Sequence, residues 1–65
     1  MKIELLETME SSVLDGHRSI PVGTIMEKTN EYLSWTYFSG SGFTLVVMGW
    51  GEVSKLIRTN KMKEL

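Results

Sequence analysis

Tyr32-Leu33-Ser34-Trp35-Thr36-Tyr37-Phe38 runs into Ser39-Gly40-Ser41-Gly42 and on into Phe43-Thr44-Leu45-Val46-Val47-Met48. Both arms are rich in aromatic and β-branched residues, the types that fit a pleated, half-buried surface. The four residues between the arms are small and turn-prone, and Gly40 and Gly42 tolerate positive φ. Two such runs joined by a short glycine-containing loop predict a β-hairpin. The two phenylalanines, two tryptophans and two tyrosines of the chain all lie within residues 32–50. The hairpin therefore carries most of the bulk from which a core can be built. Leu33, Trp35 and Tyr37 share one face; Tyr32, Ser34, Thr36 and Phe38 share the other. Leu45 and Val47 oppose Thr44, Val46 and Met48 in the same way. With apolar residues on both faces, the hairpin is expected to be central in its sheet or covered on both sides.

Past the hairpin, Gly49-Trp50-Gly51 is expected to break the strand. Val53, Leu56 and Ile57 then fall at helical spacing, with Lys55 and Arg58 on the wet side. Basic residues late in a helix suit its C-terminal dipole. Asn60 can end the helix as a left-handed cap. Residues 62–65 are then a frayed tail or a last short strand. Before the hairpin, Asn30-Glu31 reads as a turn and residues 24–29 as a short strand with Ile25 and Met26 as its apolar content. In Ile20-Pro21-Val22-Gly23 the proline cannot donate to a ladder, which argues against a central strand there. Gly23 permits a sharp change of direction. Residues 9–19 are polar and irregular, with Asp15-Gly16 as a turn signal. They predict a long loop, or two short strands with Asp15-Gly16 at the tip, anchored to the core by Val13, Leu14 and Ile20. In residues 2–8, Ile3 and Leu5 alternate with Lys2 and Glu4, and no capping residue precedes them. A strand is preferred there to a helix.

The resulting order is strand, long polar loop, Pro/Gly turn, strand, hairpin, short helical link and possible strand. It resembles the small barrels of the Src-homology-3-like type. Ile20-Pro21-Val22-Gly23-Thr24-Ile25-Met26-Glu27 resembles the diverging turn of that family, and Leu33-Ser34-Trp35-Thr36-Tyr37 its following, often tryptophan-bearing strand. Residues 39–42 would be the distal hairpin loop and residues 62–65 the closing strand. The resemblance implies a mainly β fold: a small antiparallel barrel, or a highly curved sheet of four to five strands, with one short C-terminal helix. Members that bind proline-rich peptides carry a tyrosine motif near the first strand, where this chain has Leu5-Leu6-Glu7-Thr8-Met9. Gly49-Trp50-Gly51-Glu52-Val53 stands where they have a Pro-Ser-Asn-Tyr-like segment. Trp35 alone matches a position associated with ligand contact.

Sixty-five residues make a single small domain, which buries only about 60% of the surface its unfolded form exposes. No cysteine is present, so disulfides and thiolate metal sites cannot staple it. A hydrophobic content of 42% with 23% charged residues suits a globular domain rather than a disordered one. The net charge of −1 counts against a dedicated nucleic-acid binder. The charge is uneven all the same: Glu4, Glu7, Glu10 and Asp15 crowd the first fifteen residues, and Lys55, Arg58, Lys61 and Lys63 the last fifteen. The apolar run at residues 45–48 is far too short to span a bilayer. The acidic-apolar start does not read as a signal peptide, so no membrane partner and a cytoplasmic location are expected.

Little in the chain suggests catalysis. His17 stands in the predicted loop without a spaced Asp, Glu or Cys partner, which makes a poor metal or nucleophile site. Glu4, Glu7 and Glu10 do not all face one way on a strand. Gly40-Ser41-Gly42 is too short to cradle a phosphate, and no serine sits in a GxSxG elbow. The expectation is no enzyme, no cofactor, no metal and no small-molecule substrate.

The aromatic residues carry the functional reading. Tyr32, Trp35, Tyr37, Phe38 and Phe43 can all be core, but a small sheet cannot cover both faces, so one or two should be exposed. Trp50, between two glycines, is the foremost candidate for exposure, against the alternative of a lid over the barrel's open end. Five methionines add adaptable apolar surface. The first expectation is a protein-interaction module docking a protein partner through Trp35, Tyr37 and Trp50 with acidic residues at the rim. In size and style it resembles phage accessory proteins that bind and inhibit or redirect a host protein. Homo-oligomerisation through the same patch is a close variant. The alternative is a nucleic-acid-binding barrel in which Trp35 and Tyr37 stack on bases and Lys55, Arg58, Lys61 and Lys63 contact phosphate. The two separate on whether those cations and the exposed aromatics share one surface.

Overall fold

In the computed structural model of the chain, every residue is described except Leu33, and Leu14 through its backbone only. The elements are β1 (Lys2–Leu5), β2 (Met9–Glu10), a single 3-10 turn (Val13–Asp15), β3 (Ser19–Ile20), β4 (Ile25–Tyr32), β5 (Trp35–Gly40), β6 (Phe43–Met48), α1 (Gly49–Arg58) and β7 (Met62–Glu64). Five strands form one sheet in the order β6-β5-β4-β1-β7, every neighbour antiparallel. β2 and β3 pair separately. The fold is thus mainly β with one short C-terminal helix, as expected, but the sheet does not close into a barrel. β6 and β7 are its two edges, and α1 packs against β5, β6 and β7 across the opening.

The hairpin forms with a tighter turn than residues 39–42 implied. Gly40 pairs with Phe43, leaving Ser41 (φ 52°) and Gly42 (φ 80°) as the loop. Two successive positive φ values define a type I′ turn, whose twist matches that of the strands it joins. The register Thr36↔Val47 and Phe38↔Leu45 puts Thr36, Phe38, Leu45 and Val47 on the buried face. They join Ile3, Leu5, Ile20, Met26, Val53 and Met62 in one core. The hairpin is not central, however: β4 is, and β6 is an edge. The apolar residues on its second face are partly walled by the β2–β3 loop and otherwise open. The face expected for Leu33 lies outside the described residues.

The expected turn at Asn30-Glu31 is overturned. Both residues lie inside β4, which pairs with β5 as far as Tyr32↔Trp35. The register shifts between Lys28 and Asn30, so a bulge at Thr29 interrupts the alternation. Ile25 is exposed and Met26 buried. The expected break of the strand at residues 49–51 holds: β6 ends at Met48 and the chain passes directly into α1. Gly49 turns the chain at φ 77°, and Trp50 and Gly51 already belong to the first turn of α1.

Other expectations hold. Ile3 and Leu5 are fully buried on β1. Thr24 N–H donates to the Pro21 carbonyl at 3.3 Å around Gly23 at φ 89°, which makes residues 21–24 a type II turn. The first strand holds this turn: Gly23 N–H reaches the Leu5 carbonyl at 2.8 Å, and Leu5 N–H the Thr24 carbonyl at 3.0 Å. At the end of α1, Asn60 sits at φ 62°. Its N–H donates to Ile57 (3.1 Å) and that of Lys61 to Leu56 (2.8 Å), a Schellman closure. The chain then enters β7, with Met62 buried.

Candidate functional site

Antiparallel partners share a face, so the ladders fix what lies opposite the core. Tyr32, Trp35 and Met48 form one row across β4, β5 and β6, and Asn30, Tyr37 and Val46 form the next. Tyr32 and Tyr37 meet edge to face, their ring centroids 5.6 Å apart at 89°. The rows make one apolar surface: Tyr32 is 59% exposed, Trp35 43% and Met48 63%.

The long loop supplies a wall to this surface. Its arms are clasped by the β2–β3 pairs Met9↔Ile20 and Glu10↔Ser19, by Ser11 N–H on the Arg18 carbonyl (2.7 Å), and by Arg18 N–H on Ser11 Oγ (2.7 Å). Gly16 (φ 76°) and His17 (φ 55°) turn the tip. Ser12 N–H donates to the Thr44 carbonyl at 2.8 Å, and Thr44 N–H donates to the Asp15 carboxylate. The tip is thereby fastened to the edge of β6. Arg18 adds a bond from Nη2 to the Gly42 carbonyl (2.8 Å) and lies over the Phe43 ring at 4.6 Å. A groove of about 530 Å³ results, lined by Ser12, Val13, His17, Trp35, Tyr37 and Val46. His17 Nδ1 lies 2.6 Å from Glu10 Oε1 at its mouth, both side chains exposed. A smaller hollow around Thr8, Met9, Glu10 and Ser19 shares His17 with the groove.

Trp35 and Tyr37 come together as expected. Trp50 does not line the groove with them. It is exposed on α1, with Lys28 Nζ 5.2 Å from its ring centroid, and Lys28 is in turn 3.2 Å from Glu31 Oε1. Val13 was expected to anchor the loop to the core. It is instead 69% exposed and forms part of the groove wall. The side chain of Leu14 lies outside the described residues. Ile20 is the anchor that holds, fully buried.

The four C-terminal cations do not gather around Trp35 and Tyr37. Lys55 and Arg58 are exposed on α1, whose Val53 is buried in the core. Lys61 is 3.1 Å from Glu7 Oε1. Lys63 lies across from Glu4 on β7, the sheet edge opposite β6. Among the described residues, no three His, Cys, Asp or Glu side chains converge as a metal site, and no helix is long and apolar enough to cross a membrane. Comparison with protein-family models, with curated proteins and with solved structures finds no match to this chain.

Proposed function

We propose that the chain is a non-enzymatic protein-interaction module that docks a partner protein on the outer face of β4, β5 and β6. The observation that carries this reading is the continuous apolar surface of Tyr32, Trp35, Met48, Tyr37 and Val46, walled on one side by Val13. An exposed apolar patch with a polar rim is a usual mark of an interaction site, and tryptophan and tyrosine are enriched among the residues that anchor one. The acidic rim reduces to Glu10, at the mouth, and Asp15, spent on the Thr44 N–H. The nucleic-acid alternative is the less supported, since Lys55 and Arg58 lie on α1, on the core side of the sheet, and Lys63 on its far edge, away from Trp35 and Tyr37. A setting like that of phage accessory proteins, which bind and inhibit or redirect a host protein, is part of the proposal; it rests on size and composition and not on the groove. Kinship with the Src-homology-3-like barrels is likewise a proposal. It is supported by the succession of strand, long loop, three-stranded meander, helix and strand, around a sheet that here stays open.

The test is capture of partners on the tagged chain from its native lysate, with and without nuclease. Trp35→Ala, Trp50→Ala and the double substitution Lys55→Gln/Arg58→Gln are run alongside. The expected result is a nuclease-resistant partner, weakened by about 2 kcal/mol or more in Trp35→Ala and retained by the other variants. Recovery of nucleic acid that disappears with nuclease, with added salt and with Lys55→Gln/Arg58→Gln would overturn the reading.

A further inference from the structure

An edge strand presents backbone N–H and C=O groups that its own sheet does not use. Which ones β6 presents follows from the hairpin. The type I′ turn makes Gly40 and Phe43 a hydrogen-bonded pair, so Phe38–Leu45 and Thr36–Val47 are hydrogen-bonded pairs as well. Thr44, Val46 and Met48 fall on the alternate positions, and their backbone groups point away from β5. Thr44 obeys this: its carbonyl takes the Ser12 N–H and its N–H goes to Asp15. Beyond it, the Val46 N–H, the Val46 C=O and the Met48 N–H have no partner among the described residues. The Met48 carbonyl sits at the N-cap of α1, where the first helical bond uses it. The free edge is thus short and donor-rich, and Val46 belongs to it and to the groove.

We propose that this edge receives an extended segment of a partner polypeptide as an added strand beside Val46 and Met48. This rests on the interaction-module reading and names the form of its partner. Main-chain bonds to Val46 and Met48 would hold the segment. The residue opposite Val46 would place its side chain on the same face as Val46, in the groove between Val13 and the rings of Trp35 and Tyr37. That position calls for a β-branched or aromatic residue. A second copy of the chain fits the edge poorly. Two-fold pairing of β6 with itself about Val46 would set Met48 of one copy against Thr44 of the other. The outward groups of Thr44 are already taken by Ser12 and Asp15. A foreign segment can end or turn away before that point.

Met48 offers a clean test. Its φ of −75° is the value proline imposes, and its N–H faces outward, where a strand tolerates proline. Met48→Pro should therefore fold with an unchanged melting temperature while losing one of the proposed bonds. The probe is a displayed library of random linear peptides, with enriched sequences synthesised and titrated. Expected are peptides with β-branched or aromatic residues at alternate positions. They should slow hydrogen exchange at the Val46 and Met48 amides and bind Met48→Pro roughly tenfold more weakly than Met48→Ala, which keeps the N–H. N-methylation of the peptide residue opposite Val46 should abolish binding to the unaltered chain, a readout that does not depend on the folding of Met48→Pro. Peptides that need Trp35 but ignore both Met48→Pro and N-methylation would overturn strand addition and leave the module reading standing. Enrichment of none would overturn strand addition as well. Protection of the two amides by raising the chain's own concentration, without peptide, would assign the edge to a second copy and overturn the proposal.

Discussion

Thr36 sits between Trp35 and Tyr37 but faces the other way, 1% exposed, and its Oγ1 has no partner among the described residues. A hydroxyl that has left water without gaining a bond costs free energy, and valine has nearly its shape. Thr36→Val should stabilise the chain by about 1 kcal/mol and raise Tm by roughly 4–8 °C; thermal unfolding by circular dichroism reads it, and a lowered Tm would mean that the hydroxyl is satisfied. Gly40 is constrained in the opposite sense. A Cβ there would lie 3.0 Å from Met26 Cα and closer still to the Ile25 carbonyl oxygen. Both are backbone atoms of the central strand and cannot swing aside. Gly40→Ala should cost about 1–3 kcal/mol as an overpacking substitution. Gly51, where a Cβ meets nothing, is the control within α1, and Gly51→Ala should gain about 0.5–1 kcal/mol.

Among the elements, α1 is held at its end by one left-handed residue. Asn60 tolerates φ 62° better than other residues with a side chain, and glycine tolerates it best. Asn60→Gly should be neutral or slightly stabilising, whereas Asn60→Val should cost about 1–2 kcal/mol; equal denaturant midpoints for the two would show that the Schellman closure carries no stability. This cap was legible in the sequence because it is local. So were the Ile3/Leu5 strand, the turn at residues 21–24 and the hairpin, each set by neighbours a few positions apart. The start of β5 was not. The bulge at Thr29 breaks the two-residue alternation, so Asn30 and Glu31, polar on an open part of β4, imitated a turn. For the site, Trp35 and Tyr37 could be read because they alternate on one strand. Val46 joins them through the ladder, and Val13 and His17 through a loop fastened to Thr44. No local pattern shows that Asp15 will reach a backbone amide twenty-nine residues further on.

At the scale of the whole molecule, one small core supports everything. A single core in a chain of this length supplies only about 3–5 kcal/mol. The sheet stays open, and its far edge is the three-residue strand β7, whose Met62 is 1% exposed and part of the core. Truncating a buried methionine costs about 2–5 kcal/mol, comparable with the whole stability. Met62→Ala should therefore populate the unfolded chain heavily at 25 °C, seen as collapse of amide chemical-shift dispersion throughout, including residues of β5 and β6 far from the substitution. Lys63→Gln, on the exposed side of the same strand, should leave the spectrum folded, since an exposed charge facing Glu4 is worth well under about 1 kcal/mol. A partner bound on the β6 side would couple to this, because a ligand that binds only the folded chain stabilises it by mass action. Met62→Ala should then regain dispersion as a groove-binding peptide is added, and Met62→Ala/Trp35→Ala should not. Loss of dispersion confined to β1 and β7 in Met62→Ala would show instead that the sheet unfolds piecemeal, with the proposed docking face stable on its own.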